Sequence, residues 1–112
     1  MRICYSLLMD ELIKKIEDTV LALVKYDMES YMTYARELAD MMTALFPVII
    51  ASYEDPRMSE HAGDAKYWPD QLERIVNALN TGDDLATADV LYNETRANLV
   101  ELRGIMKEKG MI

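Results

Sequence analysis

Glu37 and Asp40, in the stretch ELADMM, stand three positions apart, a spacing that on a helix sets two carboxylates one turn apart on the same face. Such a pair can hold a divalent cation against a phosphate chain, because Mg²⁺ takes oxygen ligands from one or two carboxylates together with substrate oxygens. The chemistry would be metal-assisted hydrolysis. One pair does not complete such a site. Mg²⁺ needs further oxygen ligands, and the preceding amphipathic segment offers no second pair: Lys14 follows three residues after Glu11 and Val20 three after Glu17. Glu37 and Asp40 also fall off the apolar stripe of their own segment, on the side where charged residues ordinarily meet water.

The ELAD segment resembles one found in all-α nucleotide pyrophosphohydrolases of the MazG type, which carry E-x-x-D on a helix. The resemblance implies a small Mg-dependent hydrolase using Glu37 and Asp40, completed by carboxylates of a second subunit or by Asp89 and Glu94. The E-x-x-E which that family carries on the preceding helix is missing here. A di-iron bundle would need E-x-x-H on two helices; His61 is the only histidine, and Met58 stands three residues before it. Topologically a short acidic bundle is also similar to the small helical chorismate mutases, but Lys14 and Lys15 come without an arginine partner on the first segment. Asp83-Asp84 lacks the alternating ligands and central glycine of a calcium loop and reads as a helix cap. Cys4, the single cysteine, has no neighbouring base to make it a nucleophile.

Twelve Lys and Arg against twenty Asp and Glu give a net charge of −8, a sign that repels the phosphate backbone of nucleic acids and anionic membrane surfaces alike. No apolar run reaches the roughly 18 to 20 residues that span a bilayer, and the first residues lack the h-region and small-residue cleavage site of a secretory signal. With one cysteine no internal disulfide can form, which fits a reducing cytoplasm. The length of 112 residues suits one domain covering 1–112. Met9-Asp10-Glu11 resembles a natural start, so residues 1–8 read as an extension that packs poorly.

Four segments carry apolar residues at steps of three and four. The first runs from Leu12 through Ile16, Val20, Leu23 and Val24; the second from Met28 through Leu38, Met42, Leu45 and Ile49 to Tyr53. Asp27 is placed to cap the second helix and break it from the first, although the register also permits one continuous helix. Pro47 should kink the second helix or end it early. Residues 55–66 read as a long polar loop. A third helix follows Trp68-Pro69, with Trp68, Leu72, Ile75, Val76 and Leu79 on one face. Gly82 closes it. The fourth is expected to bury Leu85, Ala88, Tyr92, Thr95, Leu99, Leu102 and Met106.

Ala22 to Asp27 and Ala78 to Asp83 share the pattern A-L-x-x-x-D, and the same shift carries Ile16, Val20 and Leu23 onto Leu72, Val76 and Leu79. The chain therefore reads as all-α, an antiparallel four-helix bundle built from two pseudo-repeated hairpins. The segment Gly82 to Glu94, GDDLATADVLYNE, is similar to helical hairpins in small uncharacterised bacterial proteins and implies no activity.

What the residues offer best is a contact surface. Nine methionines suit either a Met-rich core or an adaptable binding face. Tyr34, Tyr53, Arg57, His61, Lys66, Tyr67 and Trp68 gather aromatic and cationic groups around residues 55–66, the combination that anchors protein interfaces. The expectation is a cytoplasmic accessory or regulatory module that is not an enzyme, needs no cofactor, binds an unknown protein partner and forms a homodimer, with the Mg-dependent hydrolase as the alternative.

Overall fold

The computed structural model describes residues 4–112. Helix α1 spans Tyr5–Val24 and α2 spans Met28–Ser52. A 3-10 helix, Pro56–Lys66, leads into α3, Tyr67–Thr81. The last rod is one uninterrupted run of chain made of α4 (Asp84–Ala88), a π-helical stretch (Asp89–Arg96) and α5 (Ala97–Glu108). The four rods pack as an antiparallel bundle in which α1 lies against α2 and the last rod, and α3 closes the ring between them.

The core is what the periodicity demands. Met9, Leu12 and Ile16 of α1 meet Leu38, Met42, Phe46 and Ile49 of α2, Trp68 and Ile75 of α3, and Leu99, Leu102 and Met106 of α5. Each buried aliphatic side chain of this kind stabilises the fold by about 1.5–3 kcal/mol over its exposed state. Among the described residues every buried side-chain polar atom has a partner: Thr19 donates to the Lys15 carbonyl, Ser52 to that of Ile49, and the amide of Gln71 to Thr95 Oγ1. Ion pairs tie the rods from outside, with Arg103 on Asp10, Arg96 on Glu17 and Arg74 on Glu94.

Helix α1 begins seven residues earlier than its clean stripe suggests. Tyr5 and Leu8 pack against the core and Arg103 donates to Ser6 Oγ, so residues 5–8 are part of the bundle and not a loose extension. Residues 1–3 lie outside the described part of the chain. Helix α2 runs on through Pro47 to Ser52. Both Pro47 and Thr43, whose carbonyl loses the helical bond, sit on the exposed side, where water can replace the missing donor.

The break between α1 and α2 is real, and an aromatic residue makes it. Tyr26 has φ 56°, the left-handed conformation usually reserved for glycine. Its N–H donates to the Leu23 carbonyl and the next amide, Asp27, to that of Ala22, the paired bonds of a Schellman ending. Asp27 then accepts from the Ser30 amide. The α3–α4 turn shares two of these features at the aligned positions: Gly82 has φ 68° and Asp83 accepts from the Ala86 amide. It closes differently, because the Asp83 amide donates to Thr81 Oγ1 and the Ala78 carbonyl accepts from the hydroxyls of Thr81 and Thr87.

Two expectations need correcting. Residues 56–66 are not a loop but eleven residues of 3-10 helix, far longer than the usual three or four. Asp55 starts it by accepting from the Arg57 amide, Pro56 fits its first turn, and the buried Met58 pins it to the core. The second correction concerns the fourth rod. Leu99, Leu102 and Met106 are buried as expected, but Leu85 is 82% exposed and Tyr92 points outward, while Thr87 and Leu91 take the inner positions. The π-helical stretch explains the offset. Its wider turn absorbs one extra residue, so everything upstream is rotated by one position relative to an unbroken α-helix. In α3 the buried face is likewise Trp68, Gln71, Ile75 and Ala78, with Val76 exposed.

Candidate ligand-binding pocket

At the end of the bundle where α2 stops and α3 starts, four elements leave a cavity of about 200 Å³. Tyr53 comes from the close of α2, His61 and Asp64 from the 3-10 helix, Tyr67 and Trp68 from the first turn of α3, and Asn98, Glu101, Leu102 and Ile105 from α5. The α5 residues fall at i, i+3, i+4 and i+7, one face of a helix. The 3-10 helix supplies the outer wall, and it can do so because Met58 holds its start. The same half is also tied to the chain's end: Lys109 pairs with Glu60, and Arg57 donates to the Gly110 carbonyl.

The aromatic floor is rigid. Trp68, 2% exposed, packs edge-on against Phe46 at 5.4 Å and against Tyr67 at 4.9 Å between ring centres, the geometry that aromatic quadrupoles favour. Its indole N–H donates to Tyr53 Oη at 2.9 Å, and the Asn98 amide donates to Tyr67 Oη at 2.9 Å. Burial pushes the Tyr53 phenol above its ordinary pKa; the Trp68 N–H works against this, and the negative charges of Asp64 and Glu101 add to it. Burial raises Tyr67 as well, opposed by the bond from Asn98. Both phenols are therefore neutral at physiological pH.

The walls are acidic. His61 lies between two carboxylates, with Nδ1 3.5 Å from Asp64 and Nε2 3.7 Å from Glu60. Among the described residues no lysine or arginine lines the cavity. The pocket therefore presents aromatic rings and hydrogen-bond acceptors to whatever enters it.

Of the residues expected to form a contact surface, the structure brings Tyr53, His61, Tyr67 and Trp68 together in this pocket. Trp68 contributes from below as a core residue and does not project as an anchor. Arg57 is directed elsewhere, its guanidinium holding both oxygens of Asp55 as well as Gly110. Lys66 is exposed at the junction with α3 and does not line the cavity. Tyr34 belongs to a different place, half-buried in the α1–α2 seam with Lys15 Nζ 5.1 Å from its ring centre. Tyr34 thus packs against Lys15 of α1 and is not part of the pocket.

Asp64, Asn98 and Glu101 were not legible as site residues. Asn98 and Glu101 interleave with the apolar stripe of α5, and only the packing of the 3-10 helix over that face makes them part of a cavity.

Glu37 and Asp40 line an open groove between α1 and α2 together with Glu11, Asp18, Lys14 and Lys15. Lys15 Nζ donates to Glu37 at 2.5 Å, which places an ammonium where a metal ion would have to sit. Asp89 and Glu94 are engaged by Asn93 and by the fork of Arg74. Among the described residues no group of three or more His, Cys, Asp and Glu is placed to hold a metal ion.

No protein-family model, curated protein or solved structure matches this chain. The pocket is read from its own chemistry.

Proposed function

We propose that the chain is a protein-contact module, an accessory or regulatory partner, and that the pocket framed by Tyr53, His61, Tyr67 and Glu101 is its receptor site. One observation carries this reading. A cavity of about 200 Å³ falls below the roughly 300–1,000 Å³ of sites that enclose drug-sized ligands, so it suits a single side chain presented by a larger partner. The rigid aromatic floor supports the same reading, because binding there needs little side-chain ordering. Among the described residues no helix is long and apolar enough to cross a membrane, and a cytoplasmic setting fits the single cysteine. Self-association belongs to the proposal too, supported by the exposed Met28 and Met32 at the start of α2.

Affinity co-purification from the native host tests the reading. Glu101→Arg and Tyr67→Ala should each remove a partner that the wild-type chain and a remote Glu73→Arg variant retain. Loss of the same partner in Glu73→Arg, or its retention in all variants, would overturn the reading. Light scattering over a concentration series tests the dimer, with a monomer throughout counting against it.

A further inference from the structure

We infer that the group this pocket receives is an alkylammonium, the lysine side chain of a basic segment on the partner. The inference rests on the receptor reading above and adds the chemistry of the occupant. Three independent features of the cavity converge on it.

The first is a surplus of acceptors. Asn98 commits its amide N–H groups to Tyr67 Oη and to the Glu94 carbonyl, so its Oδ1 has no donor among the described residues. Glu101 has no hydrogen-bond or ion-pair partner among them either, and Asp64 meets only His61. Unpaired acceptors gathered around one cavity favour a ligand that brings N–H donors, most of all charged ones.

The second is charge. Asp64 and Glu101 face the pocket from opposite walls, the 3-10 helix and α5, and both act on Tyr53 between them. The nearby cation Lys109 is already held by Glu60. A compact ammonium with three divergent donors can reach acceptors on separate walls, whereas a guanidinium is matched to both oxygens of one carboxylate. The net charge of −8 on the whole chain steers basic partners toward it.

The third is the rings. Elsewhere in the fold aromatic faces carry a cation of the chain itself: Lys15 lies over Tyr34, and Arg96 over Tyr92 at 4.7 Å. Among the described residues no lysine or arginine lies over Tyr53 or Tyr67. Aromatic rings in an acidic cluster without a lysine or arginine of their own are the arrangement that attracts an ammonium from outside.

The test uses the one tryptophan of the chain as reporter. The Trp68 indole N–H resonance of the intact protein is followed by NMR during titration with α-blocked lysine, its ε-acetylated form and α-blocked norleucine. Lysine should shift the resonance saturably, with norleucine and acetyl-lysine at least about tenfold weaker, and Asp64→Asn/Glu101→Gln should weaken lysine by about tenfold or more. These two substitutions remove exposed charges and keep shape, so the fold persists. Norleucine binding as well as lysine would overturn the ammonium assignment while leaving the receptor reading intact. Silence with every ligand would also overturn it, and would overturn the receptor reading too if co-purification no longer depended on Glu101.

Discussion

The indole N–H of Trp68 donates to the phenol oxygen of Tyr53 at 2.9 Å, and this bond ties the close of α2 to the first turn of α3 beneath the pocket. Tyr53→Phe leaves the Trp68 donor buried without an acceptor, which should cost about 1–3 kcal/mol in urea unfolding. In the Trp68→Phe background the same change should cost much less. Equal costs in both backgrounds would show that the bond does not contribute.

The paired turns give a second prediction of opposite signs. Tyr26 is 80% exposed and holds a left-handed conformation that penalises a side chain, so Tyr26→Gly should stabilise the fold by about 0.5–1 kcal/mol after the entropy of glycine is counted. Gly82→Ala should destabilise by about 1 kcal/mol. A loss of stability in Tyr26→Gly would mean that the Tyr26 ring contributes contacts that outweigh the strain.

Asp55 starts the 3-10 helix that walls the pocket. The Arg57 side chain, then the Arg57 amide, hold its carboxylate at a pKa of about 2, down from 3.8. A depressed folded-state value stabilises the segment above the unfolded pKa and ceases to do so as pH falls through the folded one. The protection of the Arg57 and Met58 amides, taken relative to their intrinsic exchange rates, should therefore fall between about pH 4 and pH 2. In Asp55→Asn that pH dependence should disappear; if it persists, another carboxylate sets it.

The π-helical stretch predicts an unusual tolerance. Deleting Asn93 removes the extra residue of the wide turn and lets Asp89–Arg96 close to an α-helix, so the flanking core contacts can keep their facing. Deleting Lys14 from α1 instead rotates Met9 and Leu12 by roughly 100° out of the core. Thermal melts should show the Asn93 deletion folded and the Lys14 deletion severely destabilised. The reverse order would contradict the register argument drawn from Leu85 and Leu91.

Those register shifts mark where the sequence could and could not be read. Leu38, Met42, Leu99 and Leu102 lie inside as their spacing required, because long regular helices preserve a 3.6-residue period. Leu85 and Tyr92 were misplaced because the wide turn carries no composition signal. It is held by Thr95 Oγ1 on the Val90 carbonyl and by Gln71 from α3, contacts that exist only after packing. The 3-10 helix is hidden for a related reason: its residues are mostly polar, and only Met58 is fully buried. Four of the seven expected contact residues converge in the pocket since Tyr53, Tyr67 and Trp68 flank that segment and His61 lies within it. Asn98 and Glu101 come from α5, far away in sequence.

The central claim is that a partner docks at this pocket, and site-specific photo-crosslinking in the native host tests it most directly. A crosslinking residue at position 101, on the pocket rim, should capture a discrete partner, while one at exposed Thr33 on α2 should not capture the same protein. Capture of that protein at position 33 but not at 101 would contradict the account.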